Sequence, residues 1–109
     1  MELSGYRFMW IVVMFDLPVD TKQARRDYTL FRKQLIKQGF ARLQYSVYAR
    51  HCMSRENAAA HTSRIKAFLP PNGEVRVLQI TDKQFERTAV FFGKMRLSPE
   101  KPPAQLQFF

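Results

Sequence analysis

Residues 8–15, FMWIVVMF, form an uninterrupted apolar run that ends abruptly in Asp16-Leu17-Pro18. β-Branched and aromatic residues without polar alternation are the pattern of a central strand covered on both faces. At eight residues the run is far short of the ~20 that a membrane helix needs. Pro18 restricts Leu17 to an extended shape, so Asp16 is held rigidly at the rim of whatever sheet the strand enters. A carboxylate there has two readings. It caps a turn, the commoner role for Asp. Alternatively it holds Mg²⁺ for phosphodiester chemistry, and a second copy related by a two-fold axis supplies the second carboxylate.

After the strand the periodicity changes. Asp20 and Thr21 offer an N-cap, and Ala24, Tyr28, Phe31 and Leu35 recur at helical spacing over residues 22–38. Gly39 is placed to stop the helix in a left-handed conformation. On the opposite side Lys22, Arg26, Lys33 and Lys37 fall within a narrow arc. Arg25 and Arg32 flank it, and Asp27 is the only acid in the helix. Like charges one turn apart repel slightly, and solvated faces normally mix signs. A stripe of one sign therefore favours contact with phosphates over an ordinary solvated face.

Residues 40–50, FARLQYSVYAR, alternate. Leu43, Tyr45, Val47 and Ala49 are expected on one face of a long strand, bent or bulged near its middle. Ser54 caps a second helix reaching about residue 69, with Ala58, Ile65, Phe68 and Leu69 turned inward. Pro70-Pro71-Asn72-Gly73 is a turn, followed by a strand over 74–80. Residues 81–88 suit a single helical turn and 89–92 a short strand ended by Gly93. Residues 94–103 read as a polar, Pro-containing linker. The terminal stub 106–109 is apolar and suits an edge strand docking on its own sheet or on a second subunit. The division expected is a domain over 1–93 and a tail over 94–109.

This order fits an α+β sandwich of the ferredoxin-like kind: an antiparallel-containing sheet with two helices on one face. Its other face needs a cover, and an identical subunit is the simplest one.

The chain has 109 residues and a net charge of +9, with a pI of about 10.2. One domain of this size buries an adequate core without surplus. Such basicity is the electrostatic footprint of a nucleic-acid binder, shared with other proteins that meet polyanions. A single cysteine, Cys52, excludes an internal disulfide framework, and with His51 it is too little for a zinc site. Neighbours on a strand point apart, so His51 and Cys52 do not make a nucleophilic pair. His61 reads as a surface or boundary residue of the second helix. Phe40, Tyr45 and Tyr48 read as packing residues in preference to base-stacking ones. Without a secretory pattern or membrane span, the expected setting is cytoplasmic, away from membranes.

Taken in order, IVVMFDLP, ARRDYTLFRKQLIKQGF and RLQYSVYAR resemble the CRISPR-associated protein two family, the small subunit of the spacer-acquisition machinery. LQITDKQFERTAVFFGK is similar to the branch accompanying type II systems. The resemblance spans roughly residues 8–94. It implies a ferredoxin-like homodimer whose C-terminal strand packs onto the other subunit. It implies a magnesium-dependent endonuclease acting on single-stranded RNA or double-stranded DNA, with Asp16 as catalytic metal ligand. Arg25 and Arg26 correspond to the basic residues opening the first helix. It further implies that the dimer bridges dimers of the integrase, CRISPR-associated protein one, along duplex DNA. An RNA/DNA-binding or metabolite-binding regulatory domain of the same fold, without catalysis, is the alternative.

Overall fold

A computed structural model describes residues 7–103, so the terminal stub lies outside the described residues. The apolar run forms β1 (Met9–Asp16), and a 16-residue helix, α1 (Lys22–Lys37), follows. Then come β2 (Ala41–Gln44), β3 (Val47–Cys52), α2 (Arg55–Lys66), β4 (Glu74–Thr81), α3 (Asp82–Glu86), β5 (Val90–Phe92) and β6 (Met95–Leu97). The first four strands make one sheet in the order β2-β3-β1-β4. β1 is antiparallel to both neighbours. This is the ferredoxin-like α+β arrangement expected from the order of elements.

Period-two alternation divides β1 between two cores. Met9, Ile11, Val13 and Phe15 join Phe31 and Leu35 of α1, Ala58 and Ile65 of α2, and Tyr48 and Cys52 of β3. Trp10 packs on the other face with Ala49 and Phe85, with Val12, Leu43 and Ile80 against them. The helices therefore cover one face. On the opposite face the chain supplies α3, whose Phe85 ring stacks on Trp10 at 4.0 Å between centroids.

Local chemistry sets the element ends. The Thr21 hydroxyl accepts the Ala24 N–H at 3.0 Å and starts α1. Ser54 does the same for Asn57 in α2. Thr81 and Gln84 exchange reciprocal side-chain and backbone bonds in a capping box that fixes the short α3.

Four expectations need correction. Residues 40–50 are two strands, because Tyr45 and Ser46 reverse the chain where a bend was expected. An alternating pattern reads alike in a continuing strand and in a hairpin. This turn also lacks the Gly or Asn that usually marks one. Ala49 and Leu43 keep their common face, but Tyr45 leaves it and is 68% exposed. α2 ends at Lys66, leaving Leu69 exposed. His61 is buried, not at the surface. Within the segment read as a linker, Met95–Leu97 pairs with β5 as a separate two-stranded sheet.

Gly73 closes the turn before β4 with φ +94°, and a Cβ there would lie 2.7 Å from both the Asp16 carbonyl oxygen and Leu17 Cδ2. The rim carrying Asp16 thus depends on the missing side chain. Gly73→Ala is expected to destabilise the fold by about 1–3 kcal/mol through the left-handed backbone, plus whatever the close contact adds. Thermal unfolding checks this; an unaltered midpoint would refute the tight fit.

Candidate nucleic-acid interface and carboxylate rim

Asp16 is the last residue of β1 and is exposed. The flanking β3 begins alongside it, since the Phe15 N–H donates to the Ser46 carbonyl in the β2–β3 turn at 3.1 Å. Antiparallel pairing on the other side sets Asp16 directly opposite Glu74. Directly opposed residues share a face, with Cβ atoms roughly 4.5–5.5 Å apart. Two carboxylates therefore share the rim. Glu74 is held by Arg76, whose Nη2 and Nε donate to its oxygens at 3.3 and 3.4 Å. The Asp16 carboxylate has no hydrogen-bond or ion-pair partner among the described residues. The turn-capping role is therefore not the one its side chain performs.

Oxygen donors of this kind suit a hard cation such as Mg²⁺. Yet among the described residues no three His, Cys, Asp or Glu side chains group to hold a metal. One protomer thus offers a fitting but incomplete donor set.

α1 leaves from this same end of the sheet. Lys22, Arg25, Arg26, Lys33 and Lys37 are all exposed along it, and none makes an ion pair among the described residues. Arg25 Nη1 donates to the Val19 carbonyl at 3.0 Å, which holds its charge over the helix entrance. The helix has no acid in its first turn, where a negative charge would complement the dipole. Its one acid, Asp27, accepts from Gln23 Nε2 at 3.0 Å. Lys37, in the last turn, is roughly 22 Å from Lys22 at 1.5 Å per residue. The stripe is therefore an extended row, and only its start neighbours the carboxylate rim. Phe40 and Tyr48 are buried. Tyr45 lies 6.2 Å from the Tyr28 ring, with the Arg42 guanidinium 5.6 Å from its centroid.

The sheet face opposite α1 and α2 carries an open apolar groove of about 350 Å³, lined by Val12, Leu43, Val47, Leu78 and Ile80 together with Phe85 and Phe91. Leu78 remains 46% exposed there.

The linear pattern did not point to Glu74, because its relevance arises only from the β1–β4 register. It also missed the cluster at the far end of β1. There Trp10 Nε1 donates to Asp82 Oδ1 at 2.7 Å, and His51 Nε2 lies 3.7 Å from the same oxygen. Burial lowers the His51 pKa from 6.5; Asp82 opposes the shift and Arg50 adds to it. Burial also lowers that of His61, helped by Arg50 and Arg64. Cys52 points into the opposite core, as strand alternation requires, and burial raises its thiol pKa.

A family model described as "CRISPR associated protein Cas2" matches residues 9–88. A relative from Parvibaculum lavamentivorans named "CRISPR-associated endoribonuclease Cas2" is 54% identical over 101 residues, covering 93% of this chain and all of that protein. One of the same name from Flavobacterium psychrophilum is 48% identical over 108 residues, covering 99% and 94%. Another, from Paracidovorax avenae, is 45% identical over 107 residues, covering 98% and 99%.

Both histidines bind a proton less readily in the folded chain than in the unfolded one. Their contribution to stability is therefore complete above about pH 6.5 and is lost as pH falls below that toward the depressed folded values. The urea midpoint is expected to drop between pH 7.5 and 5.5, and His61→Gln to shrink that drop; equal pH slopes in the two proteins would contradict the assignment.

Proposed function

The chain belongs to the Cas2 family of CRISPR-associated proteins, and from that premise we propose that it serves spacer acquisition as a homodimeric subunit that binds double-stranded DNA. In this reading the α1 row lies against the phosphate backbone, and the dimer bridges dimers of the integrase, CRISPR-associated protein one. The observation that carries it is the row itself: five exposed cations on one helix, none ion-paired among the described residues. Each is available to replace a counterion on a polyphosphate. The open apolar groove on the far sheet face supports the dimer, since apolar surface of this kind gains by burial against a partner.

A second reading is favoured by the Asp16 carboxylate, which has no partner among the described residues. The relatives are named endoribonucleases, and in this reading Asp16 holds Mg²⁺ at the sheet rim, with RNA or DNA as the phosphodiester substrate. When bound, the ion supplies Lewis-acid polarisation of a phosphate and lowers the pKa of a water. The chain's own part is to hold Asp16 rigidly between the Leu17-Pro18 segment and the Gly73 turn. Because one protomer lacks a full donor set, the Asp16 of a two-fold mate completes it in this reading.

Replacing Lys22, Arg26, Lys33 and Lys37 by Gln is expected to weaken duplex binding and to flatten the log–log salt dependence by up to about one unit per lost phosphate contact. Titration at several salt concentrations reads this, and an unaltered slope removes α1 from the DNA path. Asp16→Asn is expected to abolish metal-dependent cleavage while leaving duplex affinity intact. Cleavage that survives the substitution rejects the rim as the nuclease site. Spacer acquisition that survives the loss of cleavage shows that hydrolysis is not what acquisition needs.

A further inference from the structure

Three aromatic residues occur in the segment 40–50, and the fold treats them differently. Phe40 and Tyr48 are buried, whereas Tyr45, in the β2–β3 turn, is 68% exposed. The pairing explains where its ring goes. Arg42 stands opposite Tyr48, whose side chain lies in the core beneath α1 and α2. Directly opposed residues share a face, so Arg42 is on that side too. The register then shifts before Gln44 meets Val47. The turn brings the Tyr45 ring to Tyr28 of α1, with centroids 6.2 Å apart and planes 29° from parallel. The Arg42 guanidinium sits 5.6 Å from the Tyr45 centroid. The Phe15 N–H bonded to the Ser46 carbonyl ties this turn to the strand end that carries Asp16.

We propose that Tyr45, set among Tyr28, Arg42 and Arg32, is a stacking site for an unpaired base of single-stranded nucleic acid. The proposal rests on reading this end of the molecule as a nucleic-acid surface, and it needs no cleavage. Tyr28 and Arg42 orient the ring before a ligand arrives, so little freedom is lost on stacking. Arg42 and Arg32 make no ion pair among the described residues, so both are available to the phosphates flanking a stacked base. Arg32 lies one turn after Tyr28 on α1. The Tyr28 hydroxyl pushes the Tyr45 phenol pKa above its ordinary 10.0, against the pull of Arg42 and Arg32. The phenol is therefore neutral at physiological pH and adds no charge that would repel a phosphate. An aromatic face beside cations is how single strands are held without reading their sequence, because every base has a π-face. A duplex keeps its base faces stacked inside, so the site separates unpaired from paired strands.

The test is anisotropy of short labelled oligonucleotides with divalent metal chelated. Affinity is then read without turnover, and the fate of Asp16 as a nuclease residue does not enter. Tyr45→Ala, with a thermal midpoint matching the parent, is expected to weaken single-strand binding by about tenfold. It removes no charge, so the salt slope and the affinity for a duplex of the same length are expected to stay as they were. Tyr45→Phe keeps the ring and is expected to keep the binding. Arg42→Gln is expected to flatten the single-strand salt slope by up to about one unit. Stacking ignores the 2′-hydroxyl, so the loss in Tyr45→Ala is expected for DNA and RNA strands alike; a loss confined to one of them identifies that strand as the ligand. Unchanged single-strand affinity in Tyr45→Ala overturns the proposal. So does an equal loss on the duplex, or a Tyr45→Phe variant as weak as Tyr45→Ala.

Discussion

The structure depends on β1 being paired antiparallel on both edges while presenting a different apolar set to each face. An edge strand would need only one buried face, and a strand with alternating polarity would leave one face wet. Met9–Asp16 does neither. Its odd-numbered residues anchor α1 and α2, and Trp10 and Val12 anchor the thinner cover formed around Phe85. Shifting the register by one residue would exchange these faces and bring Asp16 into the helix-side core. The same pairing that fixes the core therefore fixes where the carboxylate stands. It also sets Glu74 opposite Asp16 at one end and Thr81 opposite Met9 at the other.

Much of this frame was legible in the sequence, and the reasons differ by element. β1 declared itself through length and apolar continuity, and α1 through a clean helical period with Thr21 before it and Gly39 after it. The β2–β3 hairpin was hidden because Tyr45-Ser46 carries no turn signature and period-two alternation survives a reversal. The apolar pattern runs past the end of α2 because Phe68 and Leu69 extend it. Only Phe68 packs against the core, while Leu69 remains exposed. His61 reads as a surface or boundary residue in the sequence because its type gives no sign of burial, yet it is buried. The basic row on α1 and the isolated acid at Asp16 were visible in one dimension. The Glu74 partner was not, since it joins residues that only strand pairing makes neighbours.

The positive charge is organised and not merely abundant. α1 carries an extended row on the helix side of the sheet. An extended row suits a repeating polyanion, because each added contact releases a counterion without demanding one fixed ligand geometry.

That excess also has a thermodynamic consequence. Net charge far from zero disfavours the compact state by self-repulsion, and the acid-labile His51 and His61 add charge when protonated. The folded chain therefore relies on its two apolar cores to hold like charges together. A polyanion seated on the α1 row in the proposed manner lessens that repulsion, and the row that it meets exists only in the folded helix. By linkage, the part of its affinity that the folded row gains over the unfolded chain adds to stability. In this domain, the surface that the proposed DNA contact uses is the same surface that its fold must work to hold together.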